Sequence, residues 1–185
     1  MDKRTKRFLS WSLLVILILV GIYYTVKIGT KSYSPEDTVV YKEEGMSLEV
    51  FYNRPYKKDR VIFGGLVPYG EVWRTGANEA TTFETNTDLI VDGSLLPAGI
   101  YTLWTIPGED SWKIIFNSKL YAWGITLNNE ASREAEHDVL VLERPVRTLP
   151  EVVEQFTISF VEEHDLVFLV FAWDQVTVRV PMRLP

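Results

Sequence analysis

Recognition chemistry is concentrated in Trp73-Arg74-Thr75-Gly76-Ala77-Asn78-Glu79. The Arg74 guanidinium offers a rigid fork of donors that can hold a carboxylate or phosphate in two places. Asn78 can both donate and accept, and Trp73 brings an apolar face on which a ring could stack. Together with Glu79 they could line a small polar pocket for an anionic or sugar-like ligand. The same residues also serve a purely internal role. An Arg74–Glu79 ion pair and an Asx-type turn at Asn78 around Gly76 would pin the loop without binding anything. Both uses satisfy the same donors, and both stand open at this point.

A second basic group is Arg54, in Asn53-Arg54-Pro55-Tyr56. If its loop lies beside the glycine-rich one, Arg54 and Arg74 would form a cationic pocket in an otherwise acidic body. Lys57, Lys58 and Arg60, which follow, read as a solvated turn.

Catalytic constellations are weaker. The two histidines are His137, among Glu134, Glu136 and Asp138, and His164 in a Glu-His-Asp turn. Neither has the paired-histidine spacing of a zinc helix, so no metal site is expected. No serine sits in a G-x-S-x-G setting. Glycoside hydrolysis needs two carboxylates about 5–10 Å apart. Glu71, Glu79 and Glu84 are near in sequence, which makes Glu79 the candidate acid or base of an alternative hydrolase reading. The run Phe63-Gly64-Gly65-Leu66-Val67-Pro68-Tyr69-Gly70 is not followed by a helix start, as a phosphate cradle would require. No cofactor is expected.

The elements that must hold these residues are strands. Leu48, Val50 and Tyr52 alternate with polar or outward positions. So do Trp112, Ile114 and Phe116; Phe156, Ile158 and Phe160; and Val176, Val178 and Val180. This period of two marks half-buried strands. Residues 166–173, LVFLVFAW, are apolar at both parities and read as a strand buried on both faces. Asp92-Gly93, Pro107 to Asp110 and Glu163-His164-Asp165 supply turns, and Pro97-Ala98-Gly99 leads into another strand. A helical turn or two is expected within 129–138 and one more at Glu151–Gln155. Eight or nine short strands point to an all-β fold, an antiparallel β-sandwich of jelly-roll-like type. Of the six tryptophans, Trp104, Trp112 and Trp173 are expected in the core, while Trp73 and Trp123 lie in loops.

The N-terminus has a different character. Lys3, Arg4, Lys6 and Arg7 precede Phe8 to Val26, nineteen residues without a charge. As a helix that run spans roughly 28 Å, close to the hydrocarbon thickness of a bilayer. It is longer than a signal-peptide core, and no small-residue cleavage pattern follows, so an uncleaved transmembrane helix is expected. The positive-inside bias places the basic tail, 1–7, in the cytoplasm and the body in the periplasm or outside. The expected organisation is a tail at 1–7, an anchor at 8–26, a linker at 27–37 and a β-domain at 38–185. The formal net charge is −6, and residues 1–7, with four basic residues against Asp2, are net positive, so the body after them is acidic. Nucleic acid is therefore excluded as an expected partner. The absence of cysteine rules out disulfides, thiolate metal sites and a cysteine nucleophile.

The runs GGLVPYGEVWRTGANEAT, LPAGIYTLWTIPG, WKIIFN and EQFTISF resemble the DUF2911 family, over roughly residues 46–161. That resemblance implies the family's fold and topology and, for a bacterial and usually exported group, a place outside the cytoplasm. It implies no activity and no catalytic residues. The expected function is a non-catalytic ligand-binding or envelope-interaction module. Its partners would be the membrane, through 8–26, and a small polar ligand, a glycan or an envelope protein. Docking by an exposed strand edge is a further, purely structural option.

Overall fold

A computed structural model of the chain describes residues 2–43 and 45–185. It contains two compact units, Met1–Tyr33 and Ser34–Pro185. The first is one helix, α1 (Lys3–Tyr33), with Ser10–Tyr33 long and apolar enough to cross a membrane and its described side chains not buried. The helix runs past the expected anchor, so most of the expected linker is helical. The polar residues in it turn their hydroxyls back to the preceding turn. Thr25 Oγ1 donates to Ile22 O at 2.8 Å, and Ser32 Oγ to Gly29 O at 2.7 Å. Pro35 follows two residues beyond the last helical one, where proline disfavours helical backbone.

The second unit is all-β, with ten strands. A six-stranded sheet has the order β1-β2-β3-β6-β7-β8. Its strands are β1 (Glu36–Glu43), β2 (Met46–Asn53), β3 (Thr82–Thr85), β6 (Gly99–Pro107), β7 (Ser111–Asn117) and β8 (Asp138–Pro145). A four-stranded sheet has the order β5-β4-β10-β9. It is built from β4 (Leu89–Val91), β5 (Ser94–Leu96), β9 (Arg147–Glu163) and β10 (Leu166–Arg183). All pairings are antiparallel. The two sheets form a sandwich, and the alternating residues read from sequence meet between them. Leu48, Val50, Tyr52, Trp112, Ile114, Phe116, Phe156, Ile158, Val178 and Val180 are all buried in one cluster. The expected turns are present. Asp92 (φ 48°) and Gly93 (φ 85°) close the β4–β5 hairpin, and His164 (φ 57°) lies in the β9–β10 hairpin.

Two expectations need correction. Residues 166–173 bury only Val167, Leu169, Phe171 and Trp173; the other parity is half-buried. Phe168 on that side is covered by the Arg179 guanidinium, 4.2 Å from the ring centroid. The strand with both parities buried is β6, where Tyr101 to Thr105 are all buried. Its second face is covered by loops, giving a small second core of Ala80, Trp104 and Ile115, against which Val72, Ile106, Tyr121 and Ala131 pack. Residues 151–155 form no helical turn, because they belong to β9 and pair with β10 through Val153↔Asp174. Helical propensity there is overridden by the ladder. In 129–138 the expected helical turn is present as a single 3-10 turn, Ala135–His137.

The sheets are also clasped by polar groups. Tyr52 Oη on β2 donates to Ile158 O (3.3 Å) and accepts from Ile158 N (3.0 Å) on β9. Burial raises the Tyr52 pKa.

Candidate functional site

The segment from Ile62 to Thr81 crosses from the end of β2 to the start of β3. Its first half is a tight turn in which Val67 N donates to Ile62 O and Gly64 N to Val67 O, each at 2.9 Å. Its second half adds a short bridge to β6. Trp73 N donates to Thr105 O (2.7 Å) and Thr105 N donates to Trp73 O (3.0 Å). Past that bridge the backbone is contorted. Thr75 has φ 56° and Asn78 φ 57°. For asparagine this is a tolerated conformation, but for a β-branched threonine it is a strained one. Interior bonds hold it in place. Thr81 Oγ1 donates to Thr75 O at 2.8 Å, and the Thr75 and Thr105 hydroxyls lie 3.2 Å apart. Gly76 is required by space, since a Cβ there would stand 2.8 Å from Asn53 O.

This loop separates the residues that the sequence placed together. Trp73 is only 9% exposed. Its ring stacks on Trp173 (centroids 6.0 Å, planes at 17°) and meets Phe156 edge-on at 4.9 Å, while Nε1 donates to Gly76 O at 2.9 Å. It is therefore a core residue rather than a stacking platform. The loop position was misleading because a single β-bridge suffices to turn the indole inward. Trp104, Trp112 and Trp173 are buried as expected, and Trp123 is 41% exposed.

Asn78 and Glu79 join a side-chain network around buried Asn53. Asn53 Nδ2 donates to Glu79 Oε2 (3.0 Å), and Asn78 Nδ2 donates to Asn53 Oδ1 (3.4 Å). Gly124 N also donates to Asn78 O at 3.0 Å, tying the network to the loop after β7. Arg54 lies at the seam between β2 and β9. Its Nε donates to Phe156 O (3.2 Å), one Nη donates to Thr157 Oγ1 (3.0 Å), and the other pairs with Asp37 at 3.1 Å.

Arg74 differs from all of these. No hydrogen bond or ion pair joins it to any described residue, and its Nε is buried without a partner. Desolvation alone lowers its pKa, with no acid to offset the burial. Its aliphatic stem presses on Gly124, where a Cβ would fall 2.2 Å from Arg74 Cδ and 2.7 Å from its Cβ. The side chain lines a cavity of ≈ 170 Å³ between the 66–74 loop and the 125–131 segment. The walls combine carbon from Leu66, Val67, Val72, Trp73 and Ile125 with polar surface from Glu71, Arg74 and Asn129. Gly124, Ile125 and Asn129 carry no sequence signal that pairs them with Arg74; only the folded loop brings them there. Neither Arg54 nor Glu79 lines this cavity, so Glu79 gains no ligand-facing position from it.

The two histidines lie in separate places. Glu134, Glu136 and His137 bring ligand atoms within 4.8 Å of one another. The Lys119 ammonium is already hydrogen-bonded to Glu134 and holds that carboxyl below the usual range. His164 lines a separate hollow of ≈ 270 Å³ with Tyr41, Glu43, Glu162 and Arg183.

The fold and these sites define an antiparallel β-sandwich domain following one apolar N-terminal helix. The chain belongs to the DUF2911 family, described as proteins of unknown function, whose family model matches residues 34–182. No curated protein and no solved structure matches the chain.

Proposed function

We propose that this chain is a membrane-tethered, non-catalytic binding module, working outside the cytoplasm and taking a small polar ligand at Arg74. The tether is α1, and the basic residues before its apolar run favour a cytoplasmic N-terminus. The observation that carries the binding role is the unpartnered Arg74 guanidinium at the wall of a cavity. A half-buried cation without a protein partner costs stability, and a ligand anion would offset that cost. Residues kept in such a position are characteristic of sites where function opposes stability. The glycan and envelope-protein partners expected from sequence fall within this reading when they present an acidic group.

The test needs no ligand. Arg74→Met keeps the stem that packs on Gly124 and removes the charge. In the full chain in a neutral detergent, the variant should melt within about 0.5 kcal/mol of the parent, or higher. A loss of about 3 kcal/mol or more is what removal of one member of a buried ion pair produces. That result would assign Arg74 to the interior instead.

A further inference from the structure

We infer that the cavity at Arg74 takes a monocarboxylate on a short apolar body, either a free acid or the C-terminal residue of a peptide. The inference rests on Arg74 being a ligand site, as proposed above, and adds the class of ligand.

Charge sets the first limit. Arg74 is the only cation lining the cavity among the described residues, and Glu71 is the acidic member of the wall. One guanidinium balances one negative charge. A phosphate dianion would add two negative charges beside Glu71, whereas a carboxylate adds only one, which faces the guanidinium and matches the fork geometry of arginine. The walls set the second limit. Leu66, Val67, Val72, Trp73, Ile125 and Ala131 offer carbon to whatever extends from the carboxylate. Size sets the third. At ≈ 170 Å³ the space is smaller than the roughly 300–1,000 Å³ of pockets for drug-sized ligands, so it suits one short branched or aromatic group. Both ligand sources fit these limits. Leu66 and Trp123, exposed on the two loops that frame the cavity, would flank any residues preceding a peptide's last one.

The experiment measures binding to the full chain in neutral detergent by calorimetry and thermal shift. The probes are 3-methylbutanoate, its amide, inorganic phosphate, and the peptide Ala-Ala-Leu with a free or an amidated C-terminus. The expected result is saturable binding of 3-methylbutanoate or of the free-carboxyl peptide, weakened at least about tenfold by amidation and by Arg74→Met. Gly124→Ala should weaken it as well, because the added methyl displaces the Arg74 stem without changing the charge. Binding by the peptide alone, or by the free acid as tightly as the peptide, identifies the source and supports the class in either case. The class is overturned if neither carboxylate binds, if the amides bind as well as the acids, or if phosphate binds more tightly. Phosphate binding that is lost in Arg74→Met would overturn the carboxylate and leave the ligand site standing. Destabilisation by Arg74→Met itself would remove both.

Discussion

Tyr52 and Arg74 are both polar groups taken out of water, and their surroundings give them opposite consequences. The Tyr52 hydroxyl both donates to and accepts from the Ile158 backbone across the sandwich. Tyr52→Phe leaves those backbone groups without a partner in the interior, and a loss of about 1–3 kcal/mol in denaturant unfolding is expected. The same hydroxyl gives a pH dependence. Burial, the largest cause, raises its folded pKa above the unfolded value of about 10. The folded state therefore holds the proton more tightly, and this contribution is complete below about pH 10. It is lost as pH rises through the higher folded value, and Tyr52→Phe should flatten that alkaline part of the stability profile. Arg74 has no such partner, so its removal is expected to leave stability nearly intact.

At the scale of elements, the loop from Ile62 to Thr81 sorts side chains to two sides. Its control point is Gly76, which approaches Asn53 O and receives the Trp73 indole N–H. Gly76→Ala should cost about 1–3 kcal/mol by crowding the Asn53 carbonyl, and tryptophan emission should shift to the red as Trp73 loosens. An unchanged melt and spectrum would mean that the loop does not position Trp73. Much of this level was legible in the amino-acid pattern: Leu48-Val50-Tyr52 and Trp112-Ile114-Phe116 announce their strands by parity alone. Other parts were not legible. Glu151 to Gln155 have helix-forming composition and became strand only through pairing with β10. LVFLVFAW suggests two buried faces, but the doubly buried strand is YTLWT, because the loop after β7 covers its outer side. Trp73-Arg74 could be flagged as chemistry, yet which of the two turns into the core depended on a bridge to Thr105 that no local pattern encodes. The cavity partners Ile125 and Asn129 were hidden for the same reason, lying some fifty residues further along the chain.

At the scale of the whole molecule, an apolar helix precedes a domain in which the buried Arg74 Nε has no partner. The tether is testable because the chain contains no cysteine, so Ser94→Cys, at an exposed position of β5, would be its only thiol. A membrane-impermeant maleimide added to intact cells with a permeabilised outer envelope should label that thiol, and the protein should keep its full mass in the membrane fraction. Labelling only after the inner membrane is broken, or a mature chain lacking the first residues, would contradict the anchored orientation. The binding claim is tested most directly at the Arg74 Nε–H itself, by nitrogen-15 correlation spectroscopy of the full chain titrated with 3-methylbutanoate. The account predicts an Arg74 Nε–H resonance with no protein acceptor before titration, moving saturably as the carboxylate is added and not with the amide. A resonance already hydrogen-bonded to the protein, and unmoved by the carboxylate, would contradict it.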